Sequence, residues 1–225
     1  MTSGPYSEQD VLNLATSAYE QDEAGFSIIT GKCALIVIDM QDEFIKPHWS
    51  PDWVPAGTRM VPQLKGLIDK CRQFSIPVIY TAFADTHKGF DRPGSIKFMP
   101  IAHPNADYDR SPYFKDGKIY DALEPMPDDI IIYKPSYGAF YDTPLETILK
   151  NMEKDTLIIS GTLTNFCCST TARQAYERGY KVVFGSDVTA ADLPEMHEAE
   201  LKVMRKGFAR VMSAAEITAD IEKYG

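Results

Sequence analysis

Apolar runs as long as a β-strand recur along this chain from residue 34 onward. The first, residues 34–38, contains no polar side chain, which is typical of a parallel strand buried on both faces of a sheet. Comparable runs bounded by polar or turn-forming residues predict five further strands, at 78–82, 130–133, 156–160, 181–184 and 209–212.

Helical spacing of apolar residues fills most of the gaps between these strands. It predicts helices at 61–74, 144–151, 194–206 and 214–224, and one that opens on Cys167 and ends near Gly179. Pro62 near the start of the first helix, and Thr143 followed by Pro144 at the second, are residues that favour helix N-termini. Strands that alternate with helices predict an α/β domain whose parallel sheet is covered on both faces.

Two segments lie outside this alternation. Residues 7–19 predict a short amphipathic helix with Ser7 as its N-cap, so we interpret 1–31 as a helical extension and 32–225 as the α/β domain. The stretch 86–129 is long, weakly periodic and rich in proline, aspartate, glycine and aromatic residues. A lid over a site and a purely structural excursion both fit such an insertion.

Composition limits the partners that this chain can have. Its 225 residues suffice for one sizeable domain, and its net charge of −9 with no basic cluster argues against a nucleic-acid partner. No apolar run approaches membrane-spanning length, and no basic stretch leads into an apolar run at the N-terminus, so neither a membrane partner nor a signal peptide is expected. The four cysteines match neither a disulfide framework nor zinc-ligand spacing, which favours a reduced, cytoplasmic protein.

Three side chains suited to catalysis lie at the ends of predicted strands. Asp39 ends the first strand, Lys134 ends the third, and the turn after the fourth leads to Cys167. The carboxyl ends of parallel strands meet at one edge of the sheet, so these residues are expected to lie close together. A thiol in the first turn of a helix faces the positive end of the helix dipole, which favours the nucleophilic thiolate. Each also has an ordinary explanation, as a turn cap, a solvated charge and a buried apolar residue respectively.

The segments around these residues resemble three motifs of the isochorismatase-like cysteine hydrolases. Residues 39–44 (DMQDEF) are similar to the opening motif of that family, 134–140 (KPSYGAF) to its lysine motif and 161–168 (GTLTNFCC) to its nucleophile motif. The resemblance extends from about residue 32 to residue 217, with the motifs in the family's order. It implies a doubly wound, mostly parallel, Rossmann-like sheet in three layers and a catalytic triad of Asp39, Lys134 and Cys167.

The resemblance also implies a reaction. Family members with a cysteine at this position hydrolyse C–N bonds, which implies attack of Cys167 on a carbonyl, a thioester intermediate and Asp39 as the proton acceptor. A cis peptide between Thr162 and Leu163 would aim the Leu163 N–H, beside that of Cys167, at the oxyanion. The expected partner is a small amide or ureido substrate, the expected state is a homo-oligomer, and no cofactor is expected. Two alternatives stay open, a vinyl-ether hydrolase of the isochorismatase type and a non-catalytic binding module on the same fold.

A metal site is a weaker implication of the resemblance. Nicotinamidases carry one on an Asp-x-His segment and a second histidine nearby, and Asp85 and His87 fit the first part. The next histidine, His103, lies too far along the chain, so no metal is expected.

Residues beside the motifs are candidates for substrate binding. Aromatic side chains at strand ends can line a pocket or close the core, and polar ones can bind a substrate or fix local turns. The candidates are Gln41, Phe44, Trp49, Trp53, Tyr137, Phe140, Asn165 and Phe166. Adjacent helical residues point about 100° apart, so Cys168 is predicted to pack rather than react. We interpret His197 as structural.

Overall fold

The computed structural model describes residues 4–102 and 112–224. Within these residues six strands form one sheet, and every neighbouring pair is parallel. The strands are β1 (Cys33–Ile38), β2 (Val78–Phe83), β3 (Ile130–Lys134), β4 (Thr156–Thr162), β5 (Lys181–Ala190) and β6 (Arg210–Met212). Their order is β3-β2-β1-β4-β5-β6, which confirms the predicted doubly wound fold. The winding reverses between β1 and β4, and in such sheets ligands bind in the crevice at that point.

Helices cover both faces of the sheet. They are α1 (Glu8–Glu20), α2 (Asp42–Ile45), α3 (Pro55–Gln73), α4 (Leu145–Asn151), α5 (Ser169–Glu177), α6 (Pro194–Gly207) and α7 (Ala214–Tyr224). Alternate residues of β1 enter separate cores, because successive strand side chains point to opposite faces. Leu35 and Val37 pack with α3 and α7, whereas Ile36 and Ile38 pack with α4, α5 and α6, and the result is three layers. In the described part of the chain, no helix combines the length and the apolar character that crossing a membrane requires.

The predicted start of a helix at residue 61 is wrong. α3 begins at Pro55, which takes the first-turn position that the sequence pattern assigned to Pro62. Pro62 lies inside the helix, where it lacks the N–H that would bond the Thr58 carbonyl. Gly57 and Leu64 continue the buried face on either side of the proline, so packing against the sheet compensates for the missing bond.

The predicted end of the fifth strand at residue 184 is also wrong. The apolar run stops there, but β5 continues to Ala190 because it regains its partner β4 after an irregularity in the register. Beyond that point Gly161 pairs with Thr189 and Thr162 with Ala190. The continued pairing supports the carboxyl end of β4, where the chain turns toward Cys167. The short helix α2 was not predicted, and the bounds of the other strands and helices agree with the predictions to within two residues.

The N-terminal extension contains the predicted helix, and Ser7 caps it. The Ser7 hydroxyl accepts from the Asp10 amide, while the Asp10 carboxylate accepts from the Ser7 amide. α1 lies against α6, where Glu20 pairs with Lys202 at 2.8 Å. The predicted apolar face is only partly covered, because Val11 and Leu12 are each more than half exposed. The division of the chain at residues 31 and 32 stays a prediction.

The insertion between β2 and β3 consists of short turns in its described parts. These lie against the segment that follows β1, since Gln41 forms an antiparallel bridge with Ile119 and the Glu43 carboxylate accepts from the Phe114 amide at 2.8 Å. The insertion thus borders the carboxyl edge of the sheet, and its role as a lid stays a prediction.

Candidate active site

Asp39 directly follows β1, beside the point where the winding reverses. Its backbone has a left-handed φ of 49°, and its amide donates to the Thr81 carbonyl of β2 at 3.0 Å. At the end of β4, the Thr162 hydroxyl donates to the Asp39 carbonyl at 2.9 Å. The two neighbouring strands therefore hold a conformation that is uncommon for a residue with a side chain, and they keep the carboxylate fully buried.

Lys134, the last residue of β3, reaches Asp39 across the end of β2. Its ammonium nitrogen lies 2.7 Å from Asp39 Oδ2, and both side chains are 0% exposed. Lys134 Nζ also donates to the Ser136 carbonyl at 2.9 Å. Burial acts to lower the pKa of Lys134, but Asp39 and Cys167 act against it and the net direction is upward. Lys134 is therefore a permanent cation beside a buried carboxylate.

The turn after β4 brings Cys167 to the same place. Gly161 has a φ of 112°, and a Cβ there would lie 1.9 Å from the Ile38 carbonyl oxygen, so only glycine allows β4 to approach β1 this closely. The peptide between Thr162 and Leu163 is cis, as the resemblance implied. Thr164–Cys168 then forms a π-helical turn that precedes α5. The expectation that Cys167 opens an α-helix is therefore wrong. The α-helix begins two residues later, at Ser169, because the wider π-helical turn precedes it.

The environment of the Cys167 thiol differs from the one expected at a helix start. Burial raises the pKa of the thiol to about 12, the nearby Lys134 lowers it only in part, and Asp39 raises it further. Asp39 and Lys134 both act on the thiol through their charges and through hydrogen bonds. Both charged groups are thus close enough to act on the sulfur, but the expected resting thiolate is not supported. A thiol in this state needs a base to take its proton before it can act as a nucleophile, and the role of Asp39 as that base stays a prediction.

Comparison with known proteins identifies the family. The isochorismatase domain family matches residues 33–216. The chain belongs to this family. Ureidoacrylate amidohydrolase RutB from Methylobacterium radiotolerans is 37% identical over 196 residues, which are 80% of this chain and 76% of that protein. Enterobactin synthase component B from Escherichia coli is 30% identical over 197 residues; the match takes in 88% of this chain but spans only 66% of that protein's length.

A solved structure extends the likeness to three dimensions. The cysteine hydrolase from Pseudomonas syringae pv. phaseolicola superimposes on this isochorismatase-family chain with a TM-score of 0.79 and 29% sequence identity. The match covers 92% of this chain and 100% of that one, so the fold is shared along nearly the whole length.

Three of the predicted pocket residues, Tyr137, Asn165 and Phe166, lie in segments next to the thiol. The rings of Tyr137 and Phe166 are 5.4 Å apart, and both side chains are partly exposed. Burial and the neighbouring Cys167 raise the pKa of the Tyr137 hydroxyl, which places it beside the sulfur. Asn165 lies in the same turn, and its buried Oδ1 has no hydrogen-bond partner among the described residues. The assignment of these three side chains to substrate binding stays a prediction.

Other predicted pocket residues serve the protein itself. Gln41 uses both N–H donors within the chain, at 2.8 Å to Glu43 Oε2 and 3.0 Å to the Phe83 carbonyl. Phe44 is buried against Phe114, and the indole N–H of Trp53 donates to the Thr58 hydroxyl at 2.8 Å. These contacts favour the turn-fixing and core-closing interpretations over substrate binding.

Phe140 and Trp49 each pack against an aromatic side chain of the protein itself. Phe140 is buried, and its ring packs on Tyr180 and on the guanidinium of Arg178, while its amide donates to Gln174 Oε1 of α5 at 3.2 Å. Trp49 packs edge-on against Tyr113 and is 39% exposed. Their assignment to the substrate pocket stays a prediction.

Three residues beside the site, in β2 and the segment that follows it, are absent from the sequence-based predictions. The Thr81 hydroxyl donates to Asp39 Oδ1 at 2.9 Å. The Phe83 ring has Lys134 Nζ 5.5 Å and Arg92 Cζ 4.7 Å from its centre. Arg92 Nη2 donates weakly to the Ala84 carbonyl at 3.3 Å, and its buried Nε has no partner in the described parts of the chain. The available signal was the position of Thr81 and Phe83 on the same face at the end of a strand, since they are two residues apart.

The Asp85–His87 segment has a different set of contacts from the one a metal site would need. His87 Nδ1 lies 2.9 Å from Asp91 Oδ2, and this contact raises the pKa of His87. Across residues 4–102 and 112–224, no three potential ligands cluster as a metal ion would require. His103 lies outside the described residues, so the expectation of no metal stays a prediction.

Cys168 and His197 have structural contacts. Cys168 is fully buried, with its sulfur 3.9 Å from the Ser160 carbonyl of β4. His197 on α6 bonds the Thr164 hydroxyl at 2.8 Å and the Ser186 carbonyl at 3.0 Å. Both agree with the roles that the sequence analysis gave them.

Proposed function

We propose that this protein is a cysteine-dependent hydrolase that cleaves a C–N bond of a small amide, carbamoyl or ureido compound through a thioester on Cys167. The observation that carries the proposal is the buried Asp39–Lys134 ion pair acting on the Cys167 thiol. A nucleophile, a base and a cation that orients the base are the parts that acyl transfer needs. The relative named ureidoacrylate amidohydrolase supports the class of bond.

The first half of the reaction forms the thioester. Cys167 Sγ attacks the carbonyl carbon while Asp39 accepts the thiol proton, which the high pKa of the thiol requires. The N–H groups of Leu163 and Cys167 are the proposed donors to the oxyanion. Asp39 then returns the proton to the leaving nitrogen, the C–N bond breaks, and ammonia or an amine departs.

The second half releases the acid. Asp39, again a carboxylate, accepts a proton from water as the water oxygen attacks the thioester carbon. The C–S bond breaks, the proton returns to sulfur, and the carboxylic or carbamic acid leaves. Lys134 keeps its charge throughout and holds Asp39 in place. No step of this scheme calls for a cofactor or a metal.

Arg92 gives the proposed site a preference for substrates with an anionic group. Since Arg92 and Lys134 lie within 4.7 Å and 5.5 Å of the centre of one ring, that of Phe83, at most about 10 Å separates the two cations. Lys134 is neutralised by Asp39, whereas the nearest carboxylate to Arg92 among the described residues is Asp85, at 3.9 Å. A carboxylate at the far end of a short amide would be attracted to the guanidinium.

The test is ammonia release from a panel of small amides and ureido compounds. Matched pairs with and without a carboxylate would be offered to the parent enzyme and to Cys167→Ala, with isochorismate as an ether control. We expect turnover of at least one amide or ureido compound by the parent and none by the variant. A covalent adduct on Cys167, detected by mass spectrometry after acid quenching, would identify the thioester.

Two outcomes would contradict the proposal. Equal turnover by Cys167→Ala would exclude the cysteine mechanism, and cleavage of isochorismate alone would establish the ether-hydrolase alternative. Failure on the whole panel together with a Cys167 no more reactive to iodoacetamide than Cys33 would favour the binding-module alternative.

We also propose that the protein acts in the cytoplasm as a homo-oligomer. Four free, buried cysteines fit a reducing compartment. The exposed Val11, Leu12 and Leu14 on α1 give a second copy an apolar surface to contact.

A further inference from the structure

The two oxygens of the Asp39 carboxylate have different partners. Lys134 Nζ contacts Oδ2 at 2.7 Å, and the Thr81 hydroxyl contacts Oδ1 at 2.9 Å. All three side chains are 0% exposed. The charge of Asp39 is therefore stabilised by one cation and one hydroxyl.

Thr81 is held so that its hydroxyl has a defined direction. It lies in β2 opposite Ile38 of β1, and its own carbonyl accepts from the Asp39 amide at 3.0 Å. A β-branched side chain in a strand has few allowed rotamers. A carboxylate can only accept, so the Thr81 hydroxyl donates its single proton to Oδ1.

We propose that Thr81 is a positioning residue for the base: its hydroxyl stabilises the Asp39 carboxylate and fixes the plane that receives the Cys167 proton. This inference rests on the proposed function, because it concerns the same base. A hydrogen bond donated to a carboxylate favours the charged form over the acid. Without it, the carboxylate that accepts the thiol proton would lose one of its two stabilising partners.

The inference predicts a shift in the pH profile rather than a loss of binding. Thr81→Val keeps the shape of the side chain and removes the donor. We expect the acid limb of kcat/KM to move up by about one to two pH units, the shift that matches the loss of a hydrogen bond to a charged group. KM should change little, because Thr81 is not placed to touch the substrate. Thr81→Ser, which keeps the hydroxyl, should retain the parent limb.

Thr156→Val is the matched control. Thr156 is also a buried strand threonine that donates to a carboxylate, Asp155 Oδ1, at 2.6 Å. It begins β4 and lies about 20 Å along that strand from Thr162. Thr156→Val should lower the free energy of unfolding about as much as Thr81→Val does, while the pH profile of kcat/KM stays that of the parent.

A second readout does not depend on knowing the substrate. The rate at which iodoacetamide modifies Cys167, followed by mass spectrometry from pH 5 to 9, also depends on Asp39 as the proton acceptor. The acid limb of this rate should move upward in Thr81→Val and stay in place in Thr81→Ser and Thr156→Val. If Thr81→Val fails to fold, Thr81→Ala and Thr81→Ser give the same comparison.

Two results would overturn the inference, and they are distinct. A parent-like acid limb in the hydroxyl-free variants, with a reactive Cys167 in the parent, would show that Thr81 has only a structural role. A parent Cys167 that iodoacetamide modifies no faster than Cys33 would instead remove the proposed function, and the role of Thr81 with it.

Discussion

Lys134 and Asp39 form a 2.7 Å ion pair between side chains that are both completely buried. Neither charge could be kept in the interior alone, since the cost of removing an ion from water is several kcal/mol. The pair joins the ends of β1 and β3, which β2 separates in the sheet. Several predictions depend on this arrangement and on the thiol beside it.

Removal of the cation should cost stability as well as activity. Lys134→Met leaves Asp39 as an unpaired buried charge, and we expect the free energy of unfolding to fall by about 3–5 kcal/mol. Urea denaturation measures the change. Lys32→Met, which breaks the exposed pair with Glu153, is the control and should cost less than about 1 kcal/mol. If Asp39→Asn combined with Lys134→Met is no more stable than Lys134→Met alone, the unpaired charge is not the cause.

The reactivity of Cys167 should depend on Asp39 at neutral pH. With a thiol pKa near 12, the free thiolate is scarce below pH 9, so alkylation of the parent relies on the neighbouring base. In Asp39→Asn we expect alkylation that rises about tenfold per pH unit, as the thiolate fraction does below its pKa, with a thiol pKa below that of the parent because Asp39 is one of the groups that raise it. Mass spectrometry of Cys167 between pH 6 and 10 tests this. A flat profile in the variant, equal to the parent, would contradict the assignment of Asp39 as the base.

The close approach of β4 to β1 should tolerate no side chain at residue 161. Gly161→Ala places a Cβ 1.9 Å from the Ile38 carbonyl oxygen at a φ of 112°, so we expect a loss of more than about 4 kcal/mol or failure to fold. Gly31→Ala is the control, because a Cβ there meets nothing within 4 Å. Soluble yield and thermal denaturation distinguish the two variants. Parent-like stability of Gly161→Ala would mean that the strands separate at low cost.

Arg92 should affect anionic substrates selectively. Arg92→Ala is expected to lower kcat/KM by about 10-fold to 100-fold for a substrate with a carboxylate, the effect of a lost hydrogen bond to a charged group. For the matched neutral amide, kcat/KM should fall by less than about threefold, because that substrate has no charged group to lose a hydrogen bond. Lys88→Ala, which removes an exposed cation from the same segment, is the control. An equal loss on both substrates would mean that Arg92 supports the fold of the segment and does not bind the substrate.

The order of strands and helices was readable from the sequence because each element carries its own local signal. A strand buried on both faces has to be continuously apolar, as β1 is, and capping residues such as Ser7 mark helix starts. The prediction failed where two signals of the same kind compete, as Pro55 and Pro62 do at α3. It failed again in β5, where pairing with β4 maintains a strand through polar residues.

For the site, the sequence by itself determined which side chains end or follow the strands. It therefore also determined that Asp39, Lys134 and Cys167 would meet at one edge of the sheet. The carboxyl ends of parallel strands share one edge of the sheet, and the motifs around the three residues mark where those ends are. Only the tertiary structure placed Thr81 on Asp39, because these residues are far apart in the chain, and Arg92 on Phe83, because no regular element sets the path between them. It also reversed the expected state of the thiol. The helix dipole is a local effect that the sequence reveals, whereas the burial that raises the pKa of Cys167 comes from how every neighbouring element packs around it.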